Sequence, residues 1–249
     1  IPVYNVSGSL MRNSTSWVNQ NGPDEYGFRG TAQNLDLNRD FIKADSRTTE
    51  SFIHIFMEWD PDLFIETHTT DGADYPYLMT LISSQRHKLQ MELGNFVYKK
   101  FQPALLQALQ SAGLETSPYI EGDPQEGIRD FMDSPRYSSG YAALHHSMAY
   151  LTESHMLKPY AARVNAQRLC MHQFTAVLAS QKDEFMKARQ EARKASRGQK
   201  ILDLKWELDT DRVDHLSFSG YAMEMKKSPY TGASYRTYDR QKPYVKYVP

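Results

Sequence analysis

The chain has 249 residues, a length that predicts one or two domains. Its 29 lysine and arginine residues balance 30 aspartate and glutamate residues, and the net charge of -1 argues against binding to nucleic acids or anionic membranes. No stretch approaches the ~18 consecutive apolar residues of a membrane span, and the single cysteine, Cys170, excludes an internal disulfide. The chain begins at Ile1 without a leader and ends at Pro249 in strand-like alternation, so we expect a piece of a longer protein.

The spacing of apolar residues predicts alternating helices and strands over most of the chain. Residues 48–59 have helical spacing, and residues 63–65 predict a short buried strand. Residues 87–113 predict one or two amphipathic helices broken near Pro103. Residues 142–151 then lead into a further strand.

The longest helical pattern runs over residues 160–197 and is closed by Gly198. After it the period changes to the alternation typical of strands, beginning with residues 201–208. We therefore predict an α/β domain over residues 1–200, followed by a small all-β segment over residues 201–249.

The densest cluster of candidate functional residues lies between residues 27 and 41. Arg29 and Arg39 bracket a turn that also presents Asn38, and two guanidinium groups with an amide suit a carboxylate or a developing oxyanion. The alternative is that both arginines are surface residues paired with Asp36 and Asp40.

A histidine follows the predicted strand at residues 63–65. His68 lies where open α/β sheets place their sites, and histidine is a frequent metal ligand. Asp71 is close enough in sequence to face the same ion, but a zinc site needs three protein ligands and a third is not evident. The alternative is a structural, hydrogen-bonded histidine.

A glutamate ends the apolar run over residues 148–151. Glu153 is expected at the edge of the core, where partial loss of water raises the pKa of a carboxyl group towards that of a general base. The alternative is a glutamate at the end of a strand that faces water.

Two further candidate functional features, a loop and a pair of histidines, lie near residue 140. The loop over residues 133–141 carries Tyr137 and Tyr141 and is either a flap that closes over a substrate or an ordinary surface loop. The adjacent pair His145 and His146 is expected to point to opposite faces of a strand, which excludes a shared ligand.

In this order the segments resemble the zinc metallocarboxypeptidases of the funnelin type. Residues 36–39 match the family's DLNR motif, and residues 1–8 are similar to its NPDG strand end, with Val6 and Ser7 in place of Pro and Asp. The resemblance covers about residues 1–165. It implies a mixed-sheet α/β/α domain, here incomplete, ahead of the small all-β segment.

The resemblance also implies roles for individual residues. Asn38 and Arg39 would hold the carboxylate at the C-terminus of a peptide, and Arg29 would polarise the carbonyl group of the bond to be cleaved. His68 would be the third zinc ligand and Glu153 the general base.

For substrate selection the resemblance points to the loop before Glu153. Tyr137 or Tyr141 would be the mobile tyrosine that closes on the substrate, and the spacing does not choose between them. Arg136 would suit an acidic substrate side chain, or it pairs with Asp133.

The family's first two zinc ligands form a His-x-x-Glu motif, and none of the eight histidines has Glu three residues later. We therefore expect that the chain begins downstream of that motif, and that this piece binds zinc weakly and turns over poorly. For the intact protein we predict a zinc-dependent carboxypeptidase that acts on peptides and is periplasmic or secreted.

Two alternatives remain open for the function. One is a catalytically inactive relative that binds peptide C-termini, and the other is a zinc amidase or deacylase that acts on acyl-amino acids.

Overall fold

Helices and strands alternate along the chain in a computed structural model that describes residues 1–17, 19–124 and 127–248, so Pro249 lies outside it. The helices are α1 (Val6–Leu10), α2 (Arg47–Trp59), α3 (Met91–Phe96), α4 (Gln102–Ser111), α5 (Ser138–Leu144), α6 (Tyr160–Ser180) and α7 (Lys182–Gly198). The strands are β1 (Leu63–Thr70), β2 (Met79–Ser83), β3 (Thr116–Pro118), β4 (Glu121–Asp123), β5 (Gly127–Arg129), β6 (Met148–His155), β7 (Leu216–Lys227) and β8 (Ser234–Val248).

Four of the strands form one mixed sheet in the order β1-β6-β2-β3. Strand β6 runs parallel to β1 and antiparallel to β2, and β2 is parallel to β3. Two separate antiparallel pairs, β4 with β5 and β7 with β8, complete the strand pairing of the described residues. The predicted α/β fold with a mixed sheet and additional β structure is confirmed.

Helices cover both faces of this sheet. Met148 and Tyr150 of β6 pack into a core with side chains of α3, α4, α6 and α7. Ala149, between them, packs on the other face against α2 and α5. This alternation is the period of two of a strand, and it creates an α/β/α arrangement.

Helix α2 confirms the helix predicted for residues 48–59, and its ends show why it forms there. The side chain of Ser46 caps the first turn by accepting a hydrogen bond from the backbone N–H of Thr49. Asp60 ends the helix in the left-handed conformation, with φ of 44°. The strand that follows, β1, is longer than predicted and extends beyond His68 to Thr70.

Several predicted elements differ from the structure. The helical pattern at residues 160–197 is two helices separated at Gln181, and residues 1–8 contain the short helix α1 instead of a strand end. The region of residues 87–113 contains α3 and α4, joined through a π-helical turn over Val97–Phe101 that precedes Pro103.

The strand predicted for residues 201–208 is wrong. These residues have no regular secondary structure, and Leu204 is 96% exposed. An alternating pattern specifies a strand only where a partner strand and a core face are available, and neither is present here. His145 and His146 also lie outside any strand, in the turn between α5 and β6.

The hairpin of β7 and β8 packs against the rest of the molecule. Phe218 and Val248 are fully buried and form a small core with Tyr75, and Arg240 donates a hydrogen bond to Asp74. These contacts matter because an isolated two-stranded hairpin is marginally stable. Among the described residues, the helices are too short or too polar to pass through a lipid bilayer.

Candidate active site

The candidate site forms where two neighbouring parallel strands, β1 and β6, approach their carboxyl ends. Their register places His68 directly opposite Glu153. Glu66 precedes His68 by two residues and therefore shares its face of the sheet. The Nε2 atom of His68 lies 3.1 Å from Oε2 of Glu66, and its Nδ1 atom lies 3.9 Å from Oε1 of Glu153.

Glu153 is only 8% exposed. Burial is the main reason that its pKa lies above the usual range, since loss of water disfavours the carboxylate. The negative charges of Glu66 and Asp71 raise this pKa further, while the positive charges of His68 and Arg29 offset part of the shift. The pKa of Glu153 is therefore raised in the direction that favours a general base.

At His68, in contrast to Glu153, the surroundings favour the charged form of the side chain. Burial alone would lower the pKa of its imidazole, but the carboxylates of Glu66 and Glu153 outweigh that effect and raise the pKa to about 9. The approach of Nε2 to Glu66 is an ion pair without hydrogen-bond geometry. Ser138, at the start of α5, donates a hydrogen bond to the same carboxylate of Glu66.

Arg29 belongs to the same charge cluster, since its charge acts on the pKa values of both His68 and Glu153. Its guanidinium group donates two hydrogen bonds to one oxygen of Asp36, at 3.0 and 3.1 Å. The Arg29–Asp36 pairing that the sequence left open is therefore present, and it holds the guanidinium in a half-exposed position.

Asn5 fixes the backbone around Arg29, a role that the sequence analysis missed. Its side-chain amide donates hydrogen bonds to the carbonyl groups of Phe28, Arg29 and Gly30 at 3.0–3.2 Å. The only sequence signal was the asparagine in the segment that is similar to the NPDG motif.

Asp36 connects this loop to the next pair of predicted residues. Its second carboxylate oxygen accepts a hydrogen bond from the backbone N–H of Asn38 and caps a 3-10 turn over Leu37–Arg39. The side-chain oxygen of Asn38 is buried and has no hydrogen-bond partner among the described residues. This oxygen needs a hydrogen-bond donor, so a carboxylate ligand would contact the side-chain NH2 group of Asn38 instead.

Arg39 stacks on a tyrosine from the loop before α5. Its guanidinium carbon lies 4.5 Å from the centre of the Tyr137 ring, and one nitrogen donates a hydrogen bond to the carbonyl group of Asn38. Ser138, which bonds Glu66, follows Tyr137 directly in the chain. Tyr137 and Ser138 therefore connect Arg39, on one side, with the cluster of Glu66, His68 and Glu153 on the other.

The two other candidate residues of the loop over residues 133–141 lie in surroundings that differ from those of Tyr137. Tyr141 is 6% exposed and packs in the aromatic core with Phe41 and Phe56. Arg136 is exposed, and its predicted alternative partner, Asp133, is instead paired with Lys88 at 2.8 Å. Of the two tyrosines, Tyr137 is the one beside the predicted substrate-binding arginine.

A cavity of about 300 Å³ opens beside the carboxyl end of β1. Thr70 and Asp71 line one side, and Tyr119 and Glu121 line the other. Burial raises the pKa of Tyr119 and the charge of Glu153 adds to this shift, so this wall of the cavity lies within the electrostatic range of Glu153.

The described residues do not by themselves fit a zinc ion. They contain no group of three or more histidine, cysteine, aspartate or glutamate side chains arranged to hold a metal. His68 is the one imidazole at the site, and its Nε2 atom faces Glu66. Zinc sites in proteins use at least three protein ligands, so a complete centre would need ligands beyond those described.

No protein-family model matches the chain, and no curated protein matches its sequence. A solved metallo-carboxypeptidase from Pseudomonas aeruginosa, in complex with (2-guanidinoethylmercapto)succinic acid, is 16% identical with a TM-score of 0.47, over 64% of this chain and 42% of that one. A metallo-carboxypeptidase from Burkholderia cenocepacia is 17% identical with a TM-score of 0.45, over 61% and 41% of the two chains. The chain therefore spans about two fifths of the length of these solved proteins.

Proposed function

We propose that the chain supplies the substrate-binding and proton-transfer groups of a carboxypeptidase, a hydrolase that removes the C-terminal residue of a peptide. The observation that carries this proposal is the buried carboxyl group of Glu153, opposite His68 and within the field of Arg29. Its raised pKa and protected position are properties of a general base.

In this proposal each group acts on a different part of the peptide. The guanidinium of Arg39 and the amide of Asn38 bind the terminal carboxylate, which restricts cleavage to the last peptide bond. Arg29 exchanges part of its pairing with Asp36 for the carbonyl oxygen of that bond, where negative charge develops. Glu153 takes a proton from the attacking water and passes it to the departing amine.

The proposed enzyme is metal-dependent, with His68 as a ligand of zinc. Because the described residues do not complete a zinc site, we assign no step of the reaction to the metal. The proposed roles of Arg39 and Asn38 in binding are testable without it, whereas the role of Glu153 is tested by turnover of the intact, zinc-loaded enzyme.

Binding of the terminal carboxylate can be measured directly by calorimetry on the whole chain. We expect a peptide with a free C-terminus to bind at least about tenfold more tightly than its C-terminal amide, because a hydrogen bond to a charged group is lost. Arg39→Gln is expected to remove this preference, whereas the matched control Arg47→Gln, at an exposed arginine, retains it. Equal binding of peptide and amide would contradict the proposal.

Turnover distinguishes the proposal from its two alternatives. In the active enzyme, Glu153→Gln is expected to reduce the rate by about 10² to 10⁴, the contribution typical of a general base. In the intact, zinc-loaded protein, selective carboxylate binding without any turnover would identify a peptide-binding relative, and faster hydrolysis of an acyl-amino acid than of a blocked dipeptide would identify a deacylase.

A further inference from the structure

A second cleft lies at the other end of the sheet, away from Glu153. It is open to solvent, has a volume of about 510 Å³ and is bordered by the end of α2, the turn between α5 and β6, and the last turns of α7. Met148 begins β6 beside this cleft, and the strand from there to Glu153 spans about 17 Å at about 3.3 Å per residue. The cleft is therefore separate from the candidate active site.

Positive charge is in excess at this cleft. Arg193 of α7 pairs with Asp60, a partner that it shares with the buried Arg189, and Arg189 also pairs with Asp62. Arg197, one turn further along α7, lines the cleft and has no ion pair or hydrogen bond to another side chain among the described residues. Three arginines thus face two aspartates, and the guanidinium of Arg197 is free to bind an anion.

Two imidazoles line the same cleft, although their adjacency in sequence predicts opposite orientations. Burial lowers the pKa of both His145 and His146, and the nearby arginines add to this effect, while the charge of Asp60 opposes it at His145. The Nδ1 atom of His146 is buried and has no hydrogen-bond partner in the described part of the chain. His146 has a φ of 55°, a conformation that costs free energy outside glycine.

The remaining wall of the cleft is apolar. Met57 and Leu144 line it and are 56% and 54% exposed, and Phe56 packs behind them. This apolar surface lies next to the guanidinium of Arg197 and the imidazole of His146. It suits a ligand that has an apolar group at one end and an anionic group at the other. The volume lies in the range of small-molecule sites.

We propose that this cleft binds a small organic carboxylate that carries an apolar group. The carboxylate pairs with the fork of Arg197, close to the ring of His146, while the apolar group covers Met57 and Leu144. Among the residues that line the cleft, Arg193 and Arg197 against Asp60 leave one excess positive charge, which matches a monoanion.

The test uses 4-phenylbutyrate as the probe and calorimetry on the whole chain. We expect saturable binding that the neutral isostere 4-phenylbutyramide does not reproduce, together with a change in the imidazole NMR signals of His146. Arg197→Gln is expected to weaken binding by at least about fivefold, since it removes a charge-assisted pair. Lys194→Gln, the matched control, removes a positive charge from the same helix outside the cleft and is expected to have no effect.

Both variants are at exposed positions and retain the fold, which their unfolding midpoints check. Equal binding of the amide, or equal losses in the two variants, would overturn the proposal. Tighter binding of inorganic phosphate than of 4-phenylbutyrate would overturn the assignment of the carboxylate. Unchanged affinity in Arg39→Gln supports a separate site, whereas loss of binding in that variant would place the probe in the candidate active site.

Discussion

Asp71 lies one residue beyond β1 and acts on Glu153 through its charge. Replacing it with asparagine removes a negative charge that disfavours the Glu153 carboxylate, so Asp71→Asn is expected to lower the pKa of Glu153. A carboxyl ¹³C NMR titration of the chain measures this change, and any acid limb of the activity profile moves to lower pH with it.

Asp24→Asn is the matched control for this prediction, because Asp24 is exposed and its charge does not contribute to the shift of Glu153. A Glu153 pKa that stays constant or rises in Asp71→Asn would show that the charge of Asp71 does not raise it.

At the scale of elements, the loop before α5 is held by a buried ion pair between Lys88 and Asp133. Burial raises the pKa of Asp133, and the charge of Lys88 counters that effect. Lys88→Met leaves the carboxylate buried without its partner, so we expect the free energy of unfolding to fall by about 3 to 5 kcal/mol. Urea unfolding measures this loss.

Lys99→Met serves as the control for the buried pair, since Lys99 is exposed and its replacement is expected to change stability by less than about 0.5 kcal/mol. The double variant Lys88→Met with Asp133→Asn should recover part of the loss. Equal stability of Lys88→Met and the parent chain would mean that the pair does not anchor the loop.

Local pattern was sufficient to predict α2 from its apolar spacing, because the apolar residues lie within a few positions of each other. The pairing of His68 with Glu153 needs the register of two strands that are distant in sequence, which spacing alone does not specify. The order of His68 and Glu153 along the chain indicated a shared site only because it resembles the order in the zinc metallocarboxypeptidases. The burial of Tyr141 was also hidden, since its side chain is directed by the packing of α5 on the sheet.

The incorrect prediction of a strand at residues 201–208 has a related cause. Its alternating side chains match a strand, but strand formation depends on a partner that lies elsewhere in the chain. The same limit applies to His145 and His146, whose shared cleft results from a turn with a left-handed residue.

At the scale of the whole molecule, the amount of zinc that the purified chain retains reports how complete its metal site is. We expect the purified chain, after exposure to zinc and desalting, to retain well under one zinc ion, because His68 is the one imidazole at the site. Elemental analysis by mass spectrometry measures the ratio.

Stoichiometric zinc that is lost in His68→Gln and kept in His54→Gln would contradict this expectation. His54 is the matched control because it is exposed and lies on α2.

We propose that Arg29, Arg39 and Glu153 act on one bound peptide. A crystal structure of the chain with a bound peptide that has a free C-terminus tests it most directly. We expect the terminal carboxylate to bind the guanidinium of Arg39, with the last peptide bond between Arg29 and Glu153. A peptide bound with its carboxylate away from Arg39, or its last peptide bond away from Glu153, would contradict the account.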